Sequence, residues 1–224
     1  MKKITFILCF TIVSQFSFAQ QDINTSFASQ MTTMFSPLNK NYVPHGILLD
    51  YGMEFTNVPA FNGTLTDSIF TNLTTLKQIY NTLLTSRILD VSEGFVTPQN
   101  FDTRLKNNRE TNVIALSGLY FKYAQFTNNA TVDGKLTYSN GKFYDKYTNG
   151  IRQNPYQEMQ TFAITPAIKV YKGLDLEIKI PSDIFYSNYQ NQIQSIQIDF
   201  DNSQGYVTVP YNQNIAVSYP NEGV

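Results

Sequence analysis

The chain has 224 residues and a formal net charge of −1, from 16 Lys and Arg against 17 Asp and Glu. Because it contains no basic run, binding to nucleic acid through phosphate neutralisation is disfavoured, as is electrostatic attachment to a membrane. Its single cysteine, Cys9, excludes a disulfide within the chain, so burial of apolar side chains must stabilise the fold.

Residues 1–19 have the three regions of a secretory signal peptide. A pair of lysines precedes the apolar run at 4–13, and residues 17–19 (SFA) form a small-x-small cleavage site. The apolar run is shorter than the roughly 20 residues that a membrane-spanning helix needs. We therefore predict a protein that is secreted or exposed on the outer cell surface, without a membrane span and without Cys9 in its mature form.

Residues 20–110 are predicted to form a helical and loop segment. Apolar side chains recur at steps of three and four between residues 67 and 90, which is typical of an amphipathic helix. Thr66 or Asp67 is suited to cap the start of this helix. Gly94 and Pro98 are expected to prevent its continuation.

Residues 111–224 are predicted to be rich in β-structure, because the apolar period changes to two. Asn140-Gly141 is a strong signal for a hairpin, and Gly118 is a candidate bend in the first long strand. The fold class is therefore mainly β with an N-terminal helical segment, arranged as an antiparallel β-sandwich. The predicted strands outside the hairpin are at 112–126, 174–180, 193–200, 206–209 and 215–219.

The chain ends in the middle of the strand pattern. After the strand at 215–219, residues 220–223 are typical of a turn, and Val224 would begin a returning strand. Because an unpaired strand edge promotes aggregation, this strand should have a partner. We expect the chain to be a fragment whose downstream domains supply the partner; the alternative is that another molecule supplies it.

His45 is the only histidine and therefore the only candidate base for a Ser-His-Asp triad. The segment around Ser117 (ALSGL) lacks the first glycine of a G-x-S-x-G nucleophile motif. No second histidine or cysteine is spaced to share a metal ion with His45. We interpret His45 as a turn residue, between Pro44 and Gly46, whose ring has a backbone partner, and we predict no catalytic residue.

Pairs of carboxylates leave glycoside hydrolysis open, because the two acids can come from any part of a fold. Each individual carboxylate is better interpreted as a solvated group or as a cap on a turn. The candidates are Asp50, Glu54, Glu158, Asp183 and Asp199.

Residues 199–206 (DFDNSQGY) have part of the spacing of a calcium-binding loop, with oxygen ligands at Asp199, Asp201 and Ser203. The glycine occupies the seventh position instead of the sixth, and the closing glutamate is absent. The sequence therefore favours a hairpin turn, in which the polar side chains bind the backbone, over a calcium site. Calcium is the one cofactor that this pattern leaves open.

Aromatic residues are a candidate surface for stacking on sugars. The chain contains 15 tyrosines and 17 phenylalanines but no tryptophan, which is the strongest ring for this role. Since a β-sandwich core consumes most phenylalanines, the surplus is mainly tyrosine. Glycans are therefore candidate partners.

Residues 193–224 resemble the polycystic-kidney-disease-like (PKD-like) immunoglobulin fold. In that pattern an apolar strand ends in Asp-Phe-x-Asp-Gly, and an x-Tyr-x-x-x-Gly turn precedes the last strand. Residues 198–201 (IDFD) and 217–223 (VSYPNEG) stand in those places, although three residues are inserted before Gly205 and the usual tryptophan and the last strand are missing. The resemblance implies a truncated immunoglobulin-like module.

Four stretches resemble the N-terminal region of large secreted Bacteroidetes-type surface proteins: residues 43–52 (VPHGILLDYG), 120–126 (YFKYAQF), 133–145 (DGKLTYSNGKFYD) and 178–188 (IKIPSDIFYSN). This resemblance implies a surface location and downstream domains in the same polypeptide, and it supplies no catalytic residue. We expect a non-enzymatic region for adhesion, spacing or presentation, with glycans or other surface proteins as partners. The alternatives are an extracellular hydrolase whose catalytic domain lies beyond Val224, and a carbohydrate-binding module.

Overall fold

The computed structural model describes residues 26–64 and 71–221 of the chain. In this described part, no helix is both long enough and apolar enough to cross a bilayer. Several predicted features lie outside it: the signal peptide at 1–19, the helix caps Thr66 and Asp67, and the start of a returning strand at Val224.

The chain divides into two compact units. Of the described residues, the first unit combines 26–39 with 127–155, and the second combines 40–64, 71–126 and 156–221. The helices are α1 (residues 26–34), α2 (Leu73–Thr85) and α3 (Pro98–Asn107). The strands are β1 (Val113–Phe126), β2 (Leu136–Ser139), β3 (Lys142–Asp145), β4 (Tyr147–Thr148), β5 (Ile151–Arg152), β6 (Tyr156–Pro166), β7 (Asp175–Lys179), β8 (Phe185–Ser187), β9 (Gln197–Asp199), β10 (Tyr206–Thr208) and β11 (Ile215–Ser218).

The fold is mainly β, as the sequence predicted. Its largest sheet has the strand order β11-β7-β1-β6, and β8 also pairs with β1. β1 runs antiparallel to β6 but parallel to both β7 and β8. The predicted antiparallel arrangement is therefore wrong for the β1–β7 and β1–β8 pairs. Alternating apolar residues decide which face of a strand is buried, but they leave the direction of its neighbour open.

The side chains of β1 alternate between two hydrophobic cores, one on each face of the sheet. Phe121 and Tyr123 belong to the first core, together with side chains of α2 and α3. Leu116, on the other face, belongs to a second core formed with β7 and β11. Gly118 allows the ring of Phe185 to lie against β1, because a Cβ atom there would stand only 2.8 Å from that ring.

α2 is shorter than the helix predicted at 67–90. Its N-cap is Asn72, whose side chain accepts a hydrogen bond from the backbone N–H of Thr75 at 3.0 Å. The apolar spacing continues to Ile88, but the helix ends before it. The backbone leaves the helix there because the N–H of Ile88 donates to the carbonyl of Gly46 at 3.0 Å.

α3 is a helix that the sequence analysis does not predict. Pro98 is interpreted there as a barrier to the preceding helix, whereas it occupies the first turn of α3. Proline suits this position because the first helical residues have no use for a backbone N–H. The hydroxyl of Thr97 caps the helix by accepting from the N–H of Asn100 at 3.2 Å. Pro98, which was expected to prevent continuation of the preceding helix, therefore marks the start of α3.

The first unit contains two short hairpins. Asn140 and Gly141 join β2 to β3 with φ angles of 50° and 73°, which confirms the predicted Asn-Gly hairpin. A second Asn-Gly pair at 149–150 joins β4 to β5 in the same way. The buried ring of Phe35 lies 5.0 Å from the ring of Phe143, measured between centroids. These rings supply part of the small core of this unit.

The C-terminal strands of the second unit are shorter than predicted. The segments at 193–200, 206–209 and 215–219 contain β9, β10 and β11. β9 pairs antiparallel with β10 as a separate hairpin, whereas β11 pairs antiparallel with β7 and joins the large sheet. The hairpin and the large sheet are connected through the second core, which contains side chains from both.

Candidate functional site

A cleft of about 670 Å³ lies in the second unit, on the face of β1 and β6 that turns away from α2 and α3. We call it the aromatic cleft because six aromatic side chains line it. They come from the loop before α2, from β1, β6, β8 and β10, and from the segment after β8. These residues are Phe61, Tyr120, Phe162, Phe185, Tyr189 and Tyr206.

Three of these rings form one cluster. Tyr120 and Phe162 are directly opposite each other on β1 and β6, so their side chains share one face of the sheet. The ring of Phe61 lies 5.5 Å from Phe162 and 6.5 Å from Tyr120, measured between centroids. A backbone hydrogen bond places Phe61, because its N–H donates to the carbonyl of Gln160 in β6 at 2.7 Å.

The hydroxyl of Tyr120 has a defined protein partner. It donates to the side-chain oxygen of Gln160 at 2.8 Å. Gln160 faces Lys122 in the ladder and is thus a diagonal neighbour of Tyr120, within reach of a long side chain. The polar end of Tyr120 is therefore oriented by the sheet itself.

The opposite wall of the cleft carries neutral polar groups. Gln192, Gln194 and Gln197 line it with amide side chains, which both donate and accept hydrogen bonds. Tyr206 is 67% exposed, so its ring is available to a ligand. None of the described residues that line the cleft carries a formal charge.

Tyr189 connects the cleft to a small group of ionisable side chains. The ammonium of Lys122 lies 3.6 Å from the centroid of the Tyr189 ring, a cation–π contact. The ring of His45 stands perpendicular to the Tyr189 ring at 6.4 Å. His45 Nε2 lies 3.5 Å from Glu158 Oε2. These groups brace Tyr189 and are not part of the lining.

His45 occupies a turn, in the 3-10 segment Pro44–Gly46, with φ of 59°. Its ring faces the carboxylate of Glu158, whereas the sequence analysis expects a backbone partner. The reason is the pairing of this region: Leu48 forms a parallel bridge with Ala124, which is opposite Glu158 in the β1–β6 ladder. The local sequence contains no information about this contact.

The candidate carboxylates serve separate parts of the fold. Asp50 accepts from the backbone N–H of Phe126 at 2.8 Å, and burial raises the pKa of its carboxyl although this hydrogen bond opposes the rise. Asp183 accepts from the side chain of Asn108 at 3.0 Å. Glu54 is exposed and lies in the loop that follows the segment Leu49–Tyr51. None of the five candidate carboxylates is among the residues that line the aromatic cleft.

The candidate calcium ligands lie in the turn between β9 and β10. Asp199 accepts a hydrogen bond from the backbone N–H of Asp201 at 2.9 Å. Asp201 and Ser203 have left-handed backbones, with φ of 55° and 66°. Within residues 26–64 and 71–221, no three His, Cys, Asp or Glu side chains come together as metal ligands. The loop uses its side chains as turn caps, which is the favoured interpretation of its sequence.

The surplus of tyrosine in the sequence indicates a sugar-stacking surface, but it does not locate the aromatic cleft. The lining comes from segments that are far apart in the chain, and their convergence depends on the pairing of β1 with β6. The one local signal is the segment at 189–197, in which four glutamines and Tyr189 surround few apolar residues.

None of the known protein-family models, curated proteins or solved structures matches this chain. No ligand, substrate or partner can therefore be transferred from a relative. The function has to be argued from the side chains of the aromatic cleft.

Proposed function

We propose that this chain is a non-enzymatic, secreted or cell-surface region that binds carbohydrate in the aromatic cleft and thereby contributes to adhesion. One observation carries the proposal: exposed and half-buried aromatic rings share an open cleft with amide side chains, and none of the lining residues that the structure describes is charged. Sugars combine apolar C–H faces with neutral hydroxyl groups. Rings and amides are the protein groups that complement these two features.

The size of the cleft supports the same function. Its volume of about 670 Å³ lies within the range of roughly 300–1,000 Å³ that is usual for small-molecule sites. Phe61 and Phe162 offer an apolar surface, and Tyr206 offers a third ring from the other wall. A saccharide unit can therefore contact aromatic rings while its hydroxyl groups bind Gln192, Gln194 or Gln197.

Binding is favoured over hydrolysis at this cleft. Glycoside hydrolysis needs an acid and a second carboxylate on opposite sides of the scissile bond. No Asp or Glu is among the described lining residues. A glycan held here would therefore meet no carboxylic acid among these residues that could protonate its leaving oxygen.

The location rests on the signal-peptide pattern at 1–19. A PKD-like, immunoglobulin-type module at the C-terminal end also remains part of the proposal. It is supported by the hydroxyl of Tyr219, which donates to the carbonyl of Phe200 at 2.8 Å. This contact joins the two segments that carry the resemblance.

A glycan array with the purified protein tests the proposal. We expect binding to at least one saccharide class and a clear loss of signal in Tyr206→Ala. The matched control is Tyr147→Ala, which removes another exposed tyrosine, in the first unit. Tyr147 is 54% exposed and Tyr206 is 67% exposed. Absence of binding to every glycan, or equal binding by both variants, would contradict the proposal.

A further inference from the structure

We infer that the aromatic cleft selects uncharged glycans. It does so because the hydroxyl of Tyr120 can only accept a hydrogen bond from a ligand, so the sugar has to supply the donor. This inference rests on the proposed function and deepens it, because it names the class of glycan and the residue that reads it. It follows from the hydrogen bonds and charges of the cleft, taken one at a time.

The first step concerns the proton of Tyr120. A tyrosine hydroxyl has one proton to donate and can also accept hydrogen bonds. The Tyr120 proton is directed to the side-chain oxygen of Gln160, 2.8 Å away. With that proton engaged, the hydroxyl can offer only its lone pairs to a ligand. A sugar hydroxyl can donate to it, whereas a carboxylate or sulfate oxygen has no proton to give.

The second step concerns how firmly Gln160 is held. Gln160 lies in the middle of β6, opposite Lys122, and its own carbonyl accepts the N–H of Phe61 at 2.7 Å. At this position β6 is therefore paired with β1 along one edge and bonded to Phe61 along the other. A fixed acceptor keeps the Tyr120 proton turned away from the cleft.

The third step concerns charge. An anionic sugar that enters a partly buried site loses hydration, and this loss has to be offset by a cation or by several donors. Among the described residues, none that lines the cleft is cationic. Lys122 places its ammonium on the ring of Tyr189, at 3.6 Å from the centroid, and is not one of the lining residues. An acidic glycan thus finds no cation among the described lining residues, and the nearby ammonium of Lys122 is engaged with the ring of Tyr189.

The fourth step identifies the residue that distinguishes a donor from an acceptor on the sugar. Tyr120 is in the same ring cluster as Phe61 and Phe162, so a sugar that stacks there brings one of its hydroxyl groups next to the Tyr120 oxygen. The amides of Gln192, Gln194 and Gln197 can both donate and accept, so they do not discriminate between donors and acceptors. Tyr120 is the specificity-determining residue of the cleft.

The test uses the purified protein, a panel of neutral hexasaccharides (cellohexaose, laminarihexaose, mannohexaose and xylohexaose) and two acidic ones (from polygalacturonate and alginate). Calorimetric titrations should show binding of a neutral member and none of the acidic members. Tyr120→Phe should weaken this binding roughly 3- to 10-fold, the value of one neutral hydrogen bond, with only a small decrease in thermal midpoint from loss of the hydrogen bond to Gln160. Preference for an acidic member would overturn the inference.

Analogues of the bound sugar, each with one hydroxyl replaced by fluorine, then give a double-mutant cycle. One fluorine position should weaken binding to the wild-type protein and have no effect on Tyr120→Phe, because fluorine cannot donate. Gln160→Glu, which keeps an acceptor, should preserve this selectivity, and Gln160→Met should relax it. Additive effects at every position would overturn the inference.

The outcomes separate the inference from the proposed function. If Tyr206→Ala loses binding but Tyr120→Phe binds like the wild type, the cleft binds glycans and only the role of Tyr120 is wrong. If the wild-type protein binds none of the saccharides of the panel or of a wider array, both proposals are wrong.

Discussion

The hydroxyl of Tyr80 makes two hydrogen bonds to one residue, Val96: it donates to the carbonyl at 2.8 Å and accepts from the N–H at 2.6 Å. Tyr80 lies in α2 and is 1% exposed, and Val96 lies in the segment that leads to α3. A single side chain therefore satisfies both backbone groups at this point of the connection. The ring also lies 4.8 Å from Phe101 of α3, measured between centroids.

Tyr80→Phe should lower the free energy of unfolding by about 1–3 kcal/mol, because it leaves a backbone donor and acceptor of Val96 without their partner while the ring packing stays. Urea denaturation measures the difference. Tyr147→Phe is the control, since this hydroxyl belongs to an exposed tyrosine of the first unit. Equal stability of Tyr80→Phe and the wild type would show that the two bonds contribute nothing.

Gly94 is predicted to be the glycine least tolerant of a side chain. Its φ is 76°, and a Cβ atom would stand 2.5 Å from the carbonyl carbon of Ser187 and 2.8 Å from the N of Asn188. Gly150 is a matched control, because its φ is 78° but a Cβ atom there meets nothing within 4 Å.

Gly150→Ala should cost about 1–2 kcal/mol for the left-handed backbone alone. Gly94→Ala should cost clearly more than that, because the backbone around Ser187 has to move as well. Thermal or chemical denaturation of both variants measures the contrast. If the two substitutions cost the same, the close approach of the two segments is not present in solution.

Stability should fall at alkaline pH because of Tyr123. Burial raises the pKa of this side chain from 10.0 to about 12. The folded-state pKa lies above the unfolded value. The stability that the buried, neutral Tyr123 contributes is therefore fully present below pH 10 and is lost as the pH rises through about 12. The phenolate is more stable in the unfolded chain, which is hydrated.

Urea denaturation between pH 9 and 11 should therefore show a decreasing free energy of unfolding, with a slope of up to about 1.4 kcal/mol per pH unit for each such group. Tyr123→Phe should reduce the slope, and the remainder reflects the other tyrosines whose pKa is raised by burial: Tyr80, Tyr186, Tyr211 and Tyr219. A slope that is insensitive to Tyr123→Phe would contradict the assignment.

Calcium should not stabilise the loop between β9 and β10. Asp199 is engaged with the N–H of Asp201, and the loop supplies no third carboxylate. Because a ligand that binds only the folded state raises its stability, the melting temperature in millimolar calcium reports binding. We expect no shift relative to magnesium. A saturable increase that is lost in Asp201→Asn would establish a calcium site instead.

Local features of the fold were predictable, and features that depend on distant pairing were not. The Asn140-Gly141 hairpin and the long strand at 113–126 are specified by neighbouring residues, and both were found. The parallel neighbours of β1 could not be predicted, because apolar alternation contains no direction. Pro98 was ambiguous, since a proline ends one helix as readily as it begins another.

The aromatic cleft could not be predicted for the same reason. Tyr120 and Phe162 are 42 positions apart in sequence (162 − 120) and become neighbours only when β6 pairs with β1 in the observed register. Shifting that register by one residue would turn one of the two rings towards α2 and α3. Composition indicated a surplus of aromatic rings, but only the register shows which of them share a cleft.

The most direct test of the central claim is a calorimetric titration of the purified protein with the neutral oligosaccharide that an array identifies. We predict saturable binding that Tyr206→Ala weakens roughly 3- to 10-fold through loss of one stacking ring. Tyr147→Ala should bind like the wild type. Binding that is unaffected by Tyr206→Ala, or no binding at all, would contradict a carbohydrate site in the aromatic cleft.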